Sequence, residues 1–245
     1  MSPLSRPSDE TEPRPTRRGP TAEPLGGLTR RRWSIPILAH SAPTGHTRFA
    51  VLLAALGPSR ETLSATLVDL VAQGWLARAT GFGHPLRPEY LLTPAGLRIA
   101  PRCRRIMLEI DRLGITEAAL RKWSLPILLV ISDPVAAESR FNALRAALPA
   151  ITVRALALAL KDLCSADLVD RVVDDSYPPV PRYTLTRRAR RLAAAARALD
   201  REVGLRVVRP VPTDRAAPRP PIAPPDPRVE HAKQSAQAAI TRSPR

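Results

Sequence analysis

Cysteines and long apolar runs are scarce in this chain, and their scarcity excludes several classes of protein. The 245 residues include two cysteines, Cys103 and Cys164, which are too few and too far apart for a disulfide framework or a cysteine-type zinc site. No apolar run approaches the roughly 18 residues that a membrane-spanning helix needs. The four histidines lack the spacing of metal ligands. We therefore predict a cytoplasmic protein with no metal site, no cofactor and no membrane contact.

The motifs of common enzyme classes are also missing. The sequence has no glycine-rich loop that would cradle phosphate, no zinc-binding His-Glu-x-x-His and no nucleophile elbow. Cys164 falls on the apolar face of a predicted helix, which favours a buried thiol over a reactive one. We predict no catalytic residues and a protein that is not an enzyme.

Positive charge, by contrast, is abundant. The net charge is +16, and residues 32–206 alone contribute 25 Lys and Arg against 15 Asp and Glu. The excess is therefore not confined to the ends of the chain. It favours a phosphate-rich partner such as nucleic acid, or another anionic surface. An arginine-rich but ordinary solvated surface is the alternative interpretation.

The central part of the chain is an internal repeat. Residues 32–38 read Arg-Trp-Ser-Ile-Pro-Ile-Leu, and residues 122–128 read Lys-Trp-Ser-Leu-Pro-Ile-Leu. Further matches follow at offsets of 90 to 93, among them Asp69 with Asp162. A repeat of this length is a whole domain, because solenoid units span about 20–50 residues. The sequence predicts two copies of one fold, a first domain over residues 29–113 and a second over 114–206.

The two ends of the chain have a different composition. Residues 1–28 are rich in Pro, Ser, Arg and Glu, and residues 207–245 are richer still in proline. Neither segment shows an apolar period, so we predict disordered tails.

Each copy begins with three predicted helices. The opening helix carries Trp33 or Trp123, which we interpret as core anchors rather than ligand-pocket residues. Pro36 and Pro126 lie inside these opening helices, where proline is expected to kink or interrupt a helix. The second and third helices are predicted over residues 47–56, 60–73, 139–148 and 153–166. Leucines repeat at i, i+4 and i+7 along each third helix, which is typical of one buried face.

Two short strands and a last helix complete each copy. The strands are predicted over residues 75–78, 89–92, 168–171 and 182–185. Thr93-Pro94 and Thr186 open the last helix, which is long and basic in both copies. The predicted fold is mainly α with small β-wings (α+β), consisting of two tandem winged helix-turn-helix domains between disordered termini.

Three motifs in each copy resemble the HxlR-type family of bacterial winged-helix transcription regulators. They are the Trp-Ser-x-x-Ile-Leu opening helix, the Arg-Phe-x-x-Leu helix that follows, and a wing with Pro and Arg before Tyr-x-Leu-Thr. The resemblance covers residues 32–112 and 121–200. It implies a cytoplasmic protein that regulates transcription by binding double-stranded DNA. Because members of that family are similar in forming dimers through first and last helices, it also implies a homodimer or an intrachain pseudo-dimer.

The fold and the exposed polar positions indicate how such a protein would contact DNA. A third helix fits the major groove, and a wing reaches adjacent backbone. Ser59 and Thr152 cap the third helices, whose N-terminal ends favour phosphate. The candidate DNA-binding residues are Ser59, Arg60, Thr62, Ser64 and Arg87 of the first copy and Thr152, Arg154, Lys161 and Arg182 of the second.

The second copy departs from this pattern and supports an alternative function. Its third helix reads Leu-Ala-Leu-Ala-Leu at 156–160, and helical geometry points Leu158 away from the leucine stripe. An outward leucine is a poor reader of bases, which are recognised mainly by hydrogen bonds. Asp174 and Asp175 in the second wing would repel phosphate. In the alternative, only the first domain reads DNA, and the second is a protein-interaction or dimerisation module.

Overall fold

A computed structural model of the chain describes residues 23–79, 88–133, 139–173 and 180–208. The described residues of both copies belong to one compact unit. Most of the two predicted tails, including residues 211–245, falls outside the described ranges. No helix in the described ranges is both long enough and apolar enough to cross a membrane.

The first copy is preceded by a short helix and contains four further helices and three strands. Its helices are α1 (Glu23–Leu28), α2 (Ser34–Ser41), α3 (Phe49–Leu56), α4 (Arg60–Ala72) and α5 (Pro94–Leu113). Its strands are β1 (His46–Arg48), β2 (Leu76–Ala79) and β3 (Glu89–Leu92). They form an antiparallel sheet in the order β1-β3-β2. The α3–α4 pair and this sheet constitute a winged helix-turn-helix domain.

The second copy repeats this order. Its helices are α6 (Thr116–Ala119), α7 (Ser124–Ile131), α8 (Phe141–Ala147), α9 (Val153–Ser165) and α10 (Arg190–Val208). Strands β4 (Val169–Val173) and β5 (Pro181–Leu185) form an antiparallel hairpin. At the place that β1 takes in the first copy, Arg140 forms an isolated bridge with Arg182 of β5. The predicted fold class is therefore confirmed.

The predicted third helices match α4 and α9 to within one residue, because caps and leucine periodicity are local signals. The predicted second helices, by contrast, begin two residues too early in each copy. Thr47 and Arg48 belong to β1, whose pairing with Tyr90 and Glu89 competes with helix formation. This pairing joins residues about 40 positions apart, so local patterning does not reveal it.

The expected kink at Pro36 and Pro126 was wrong. Both prolines are the third residue of their helix, α2 or α7. The first backbone hydrogen bond of each helix is donated one residue later, by Ile37 to Trp33 and by Ile127 to Trp123, at 3.0 and 2.9 Å. Since an N–H in the first turn has no partner within its own helix, a proline there removes nothing.

Helix α1 is a second correction, because it lies in the segment 1–28 that was predicted to be disordered. Leu25 and Leu28 are fully buried, and α1 contacts α7 and α10 of the second copy. Two glycines and a proline in its six residues weaken the local helix signal. Tertiary contacts with the other copy provide the apolar cover that the short segment lacks by itself.

The two copies are joined chiefly through their last helices. Helix α5 packs against α10, and the buried apolar side chains of both helices belong to one continuous core. These side chains are Ile99, Cys103, Ile106 and Ile110 of α5, with Leu192, Ala196, Leu199 and Val203 of α10. The copies therefore do not have separate cores joined by a linker.

Candidate nucleic-acid interface

Helix α4 exposes the polar residues that the sequence singles out. The Ser59 hydroxyl accepts a hydrogen bond from the Thr62 backbone N–H at 3.2 Å, which starts the helix. Leu63, Leu67 and Leu70 are buried against the first copy. That packing leaves an outward face, on which Arg60, Thr62 and Ser64 are all exposed together with the acidic Glu61. The guanidinium of Arg60 and the hydroxyl groups of Thr62 and Ser64 can form hydrogen bonds with both phosphates and bases.

Helix α9 is built in the same way, but its exposed face has a different composition. The Thr152 hydroxyl accepts from the Ala155 backbone N–H at 3.2 Å. Leu156, Leu160 and Leu163 are buried. Arg154 and Lys161 are exposed, as predicted. Leu158 points outward as well, with 54% of its surface exposed. The outward face of α9 therefore combines two cations with an apolar side chain.

The predicted wing residues are only partly within the described structure. Arg87, Asp174 and Asp175 lie outside the described residues. Arg182 lies in β5, opposite Val172 of β4, and is half-buried. It is less accessible than the predicted residues of α4 and α9.

We call α4 and α9, the third helix of each copy, the recognition helices. An ion pair that sequence reasoning missed ties each of them to the segment that precedes the opening helix of the same copy. Asp69 of α4 pairs with Arg30 and, at 3.7 Å, with Arg31. In the second copy, Arg121 pairs with Asp162 of α9. The repeat of Asp69 as Asp162, with Arg31 and Arg121 also equivalent, was the available signal. These contacts fix the later part of each recognition helix relative to its own domain.

The contact between α5 and α10 is reciprocal. Arg98 of α5 lies 3.3 Å from Glu202 of α10, and Arg191 of α10 lies 3.5 Å from Glu109 of α5. Arg191 and Glu202 are the repeat equivalents of Arg98 and Glu109, each 93 positions later. The same ion pair therefore occurs twice with its partners exchanged between copies. Such exchange is the geometry of a two-fold interface, and the order of the pairs makes the two helices antiparallel.

Further charged contacts reinforce this interface. Glu109 is buried and, within α5, also pairs with Arg105 and Arg112 at 3.3 and 3.0 Å. Between the copies, Arg102 of α5 pairs with Glu202 of α10 at 2.8 Å. Arg188 donates to the backbone carbonyl of Leu113 at 2.6 Å. Several arginines of the basic last helices are thus engaged between the copies, which reduces the number available for DNA.

The family comparison agrees with this architecture. The family model described as HxlR-like helix-turn-helix matches twice, over residues 28–113 and 120–204. The chain belongs to the HxlR-like helix-turn-helix family. This is a family of DNA-binding transcription regulators and not of enzymes, and the double match establishes the tandem duplication. No curated protein and no solved structure shows significant similarity to the chain.

The thiols of this HxlR-like protein lie in apolar surroundings. Cys103 of α5 is fully buried in the core that the two copies share, and burial raises the pKa of its thiol above the ordinary range. Cys164 in α9 is half-buried, and burial raises the pKa of this thiol as well. A raised pKa keeps a thiol protonated and poorly nucleophilic. Cys164 packs against the core but is less buried than the sequence predicts.

Proposed function

We propose that the chain is a sequence-specific transcription regulator in which both copies contact duplex DNA and the chain acts as an intrachain pseudo-dimer. The observation that carries the proposal is the reciprocal Arg98–Glu202 and Arg191–Glu109 contact. A two-fold arrangement of winged helices relates two recognition helices as in dimeric regulators, which bind two half-sites. We also propose a cytoplasmic location, which the resemblance to bacterial regulators implies.

The proposed contacts follow from the exposed faces. Helices α4 and α9 enter major grooves, with Arg60, Thr62 and Ser64 on one and Arg154 and Lys161 on the other. Their first turns, capped by Ser59 and Thr152, present backbone N–H groups to phosphate. Arg87 and Arg182 contact flanking backbone. Cations that neutralise phosphates release counterions, so affinity falls steeply with salt.

A second candidate function is favoured by the exposed apolar residues of the second copy. Val153, Leu158, Val172 and Val173 each expose about half of their surface. The first copy also exposes apolar side chains, Val68 of α4 among them, so it is Leu158, on the outward face of α9 beside its two cations, that favours a protein interface over base reading there. In this candidate, the first copy alone reads DNA and the second is a protein-interaction or dimerisation module.

Selection of bound duplexes from genomic fragments, at two salt concentrations, tests the proposal. We expect a motif with two half-sites that survives at the higher salt. Replacing Arg154 and Lys161 together by Ala should weaken binding and reduce the log–log salt slope by roughly 1 for each phosphate that the variant no longer neutralises. Single half-sites, or an unchanged slope in this variant, would instead support the second candidate.

Leu158→Asp separates the two candidates further. If the second copy is an interaction module, this variant loses self-association in sedimentation or loses its protein partner, while its DNA affinity is retained. If α9 lies in a groove, the added negative charge weakens DNA binding and leaves the oligomeric state unchanged. Circular dichroism confirms that the exposed substitution leaves the fold intact.

A further inference from the structure

A cleft lies between α1, at the start of the first copy, and the second copy. It has a volume of about 240 Å³ and opens to solvent on one side. Three groups of residues line it: Gly26 and Gly27 of α1 with Arg30 just beyond it, Lys122 and Trp123 just before α7, and residues 147–150 at the end of α8 and in the turn that follows. The lining is mostly apolar and includes two cations, Arg30 and Lys122. Trp123, which the sequence predicts to be a core anchor, is only half-buried and lines this cleft, which we call the Trp123 cleft.

At the equivalent place in the other half of the molecule, the two copies are joined by an exposed ion pair. Arg32 lies over the Trp33 ring, 5.5 Å from its centre, and donates to Glu117 of α6 in the second copy at 2.6 Å. This guanidinium holds the pKa of Glu117 below its ordinary value. Arg32 and Trp33 correspond to Lys122 and Trp123, and Glu117 corresponds to Gly27, all at an offset of 90.

The Trp123 cleft therefore keeps the cation and the indole of this arrangement but lacks the carboxylate. Lys122 lies 4.7 Å from the centre of the Trp123 ring. Within the part of the chain that the structure describes, no carboxylate pairs with its ammonium group. A Cβ on Gly27 would meet no atom within 4 Å, so this position, where Glu117 stands in the other half, has room for a side chain.

We propose that the Trp123 cleft binds a small aromatic monocarboxylate, whose ring packs on Trp123 and whose carboxylate takes the place of the missing glutamate beside Lys122. The cleft exceeds the roughly 150 Å³ of an engineered cavity that holds benzene. It is smaller than the pockets of about 300–1,000 Å³ that hold drug-sized ligands. One substituted ring suits this range. A charge-assisted contact to an ammonium group favours a carboxylate over a neutral amide.

The position of the cleft connects it to both recognition helices. Leu148, Pro149 and Ala150 form part of the turn between α8 and α9, so a ligand in the cleft touches the segment that sets where α9 begins. Arg30 lines the cleft and pairs with Asp69 of α4. A bound carboxylate competes with Asp69 for this guanidinium. An effect of the ligand on DNA rests on the proposed function; binding of the ligand does not.

Calorimetric titration of the full chain with benzoate, in the absence of DNA, tests the site itself. We expect benzoate to bind with a Kd below about 10 mM, and the neutral isostere benzamide to bind at least about tenfold more weakly. Lys122→Met keeps the apolar stem and should weaken benzoate binding about tenfold. Lys161→Met is the matched control, because it removes an exposed lysine of α9 outside the cleft, and it should leave benzoate binding unchanged.

A second variant reproduces the ion pair of the other half. Gly27→Glu supplies the missing carboxylate, should pair with Lys122 and should abolish benzoate binding, while Gly27→Ala, which replaces the same glycine without a charge, should weaken it far less. Absence of measurable benzoate binding, equal affinity for benzamide, or insensitivity to both Lys122→Met and Gly27→Glu would overturn the proposal.

The regulatory consequence is measured separately, by DNA affinity with and without saturating benzoate. A shift of about threefold or more in the wild-type chain, absent in Gly27→Glu, is expected for a ligand coupled to the recognition helices. Benzoate binding without any such shift would retain the site and overturn its coupling. Failure to bind DNA at all would contradict the proposed function while leaving the calorimetric result intact.

Discussion

At the scale of single residues, the two copies build the same turn with different side chains. Gly74 and Asp167 occupy equivalent positions after the recognition helices and both have positive φ, 67° and 54°. The Thr93 hydroxyl donates to the Gly74 carbonyl at 2.7 Å, and that of Thr186 donates to the Asp167 carbonyl at 2.9 Å. The backbone geometry is therefore retained although glycine is not, because aspartate tolerates the left-handed region.

Gly96 is the position where a single methyl group should be most damaging. An added Cβ would overlap the Trp75 carbonyl oxygen and contact Leu92 at 3.1 Å. We expect Gly96→Ala to lower the free energy of unfolding by about 1–3 kcal/mol, since well-packed backbone cannot yield without strain. Urea denaturation measures this. Gly27→Ala, at a helical glycine with open space, is the control and should not destabilise the protein; an equal effect of both variants would contradict the steric explanation.

At the scale of elements, α1 shows how a short helix is held by the opposite copy. Its Leu25 backbone N–H donates to Asp200 of α10 at 3.1 Å. Desolvation raises the pKa of the Asp200 carboxyl, although this hydrogen bond opposes the shift. Because the pKa is raised in the folded state, the folded protein binds the proton more tightly than the unfolded chain. The associated stability is present at low pH and is lost as the pH rises through the folded pKa.

Asp200→Asn tests this linkage. The amide oxygen still accepts from the Leu25 N–H but carries no charge to desolvate. We expect the free energy of unfolding of Asp200→Asn, relative to wild type, to increase as the pH rises from below 3.8, the ordinary pKa of the group, to neutrality. Denaturation at several pH values measures this difference. Asp111→Asn, at an exposed position of α5, controls for the removal of one negative charge, and a difference independent of pH would refute the expectation.

At the scale of the whole molecule, the described residues of the two copies form one compact body. The apolar residues of both copies belong to a single core, and α10 contacts α5, α7 and α1. Removing either copy would expose the apolar face of the other copy's last helix. In the proposed pseudo-dimer the two protomers are covalently joined, so its folding should not depend on protein concentration.

Calorimetry should show a single unfolding transition for the described body, with equal calorimetric and van't Hoff enthalpies. Leu199→Asp, at a fully buried position of α10, should lower the Tm of the whole transition, because a charge in the shared core affects both copies. Leu158→Asp introduces the same charge at an exposed position and should leave the Tm nearly unchanged. Two transitions, of which Leu199→Asp shifts one alone, would show that the copies unfold independently.

The sequence by itself determined the duplication, the order of the main helices and wing strands in each copy, and the bounds of α4 and α9 to within one residue. These features depend on local signals, namely leucine periodicity, the Ser59 and Thr152 caps, and matching segments at a nearly constant offset. The outward direction of Arg60, Arg154 and Leu158 followed from the same helical geometry. Local interactions are encoded by neighbouring residues, so they can be predicted from one sequence without knowledge of the fold.

Tertiary structure alone decided the features that join distant positions. The folding of α1 depends on contacts with α7 and α10, strand β1 depends on pairing with β3, and Asp69 meets a cation about 40 positions earlier in the chain. The Trp123 cleft exists because Gly27 faces Lys122 of the opposite copy. None of these residues reveals its distant partner from its own neighbours in the sequence. The antiparallel packing of α5 on α10 brings α1 of one copy and the start of α7 of the other together at the Trp123 cleft.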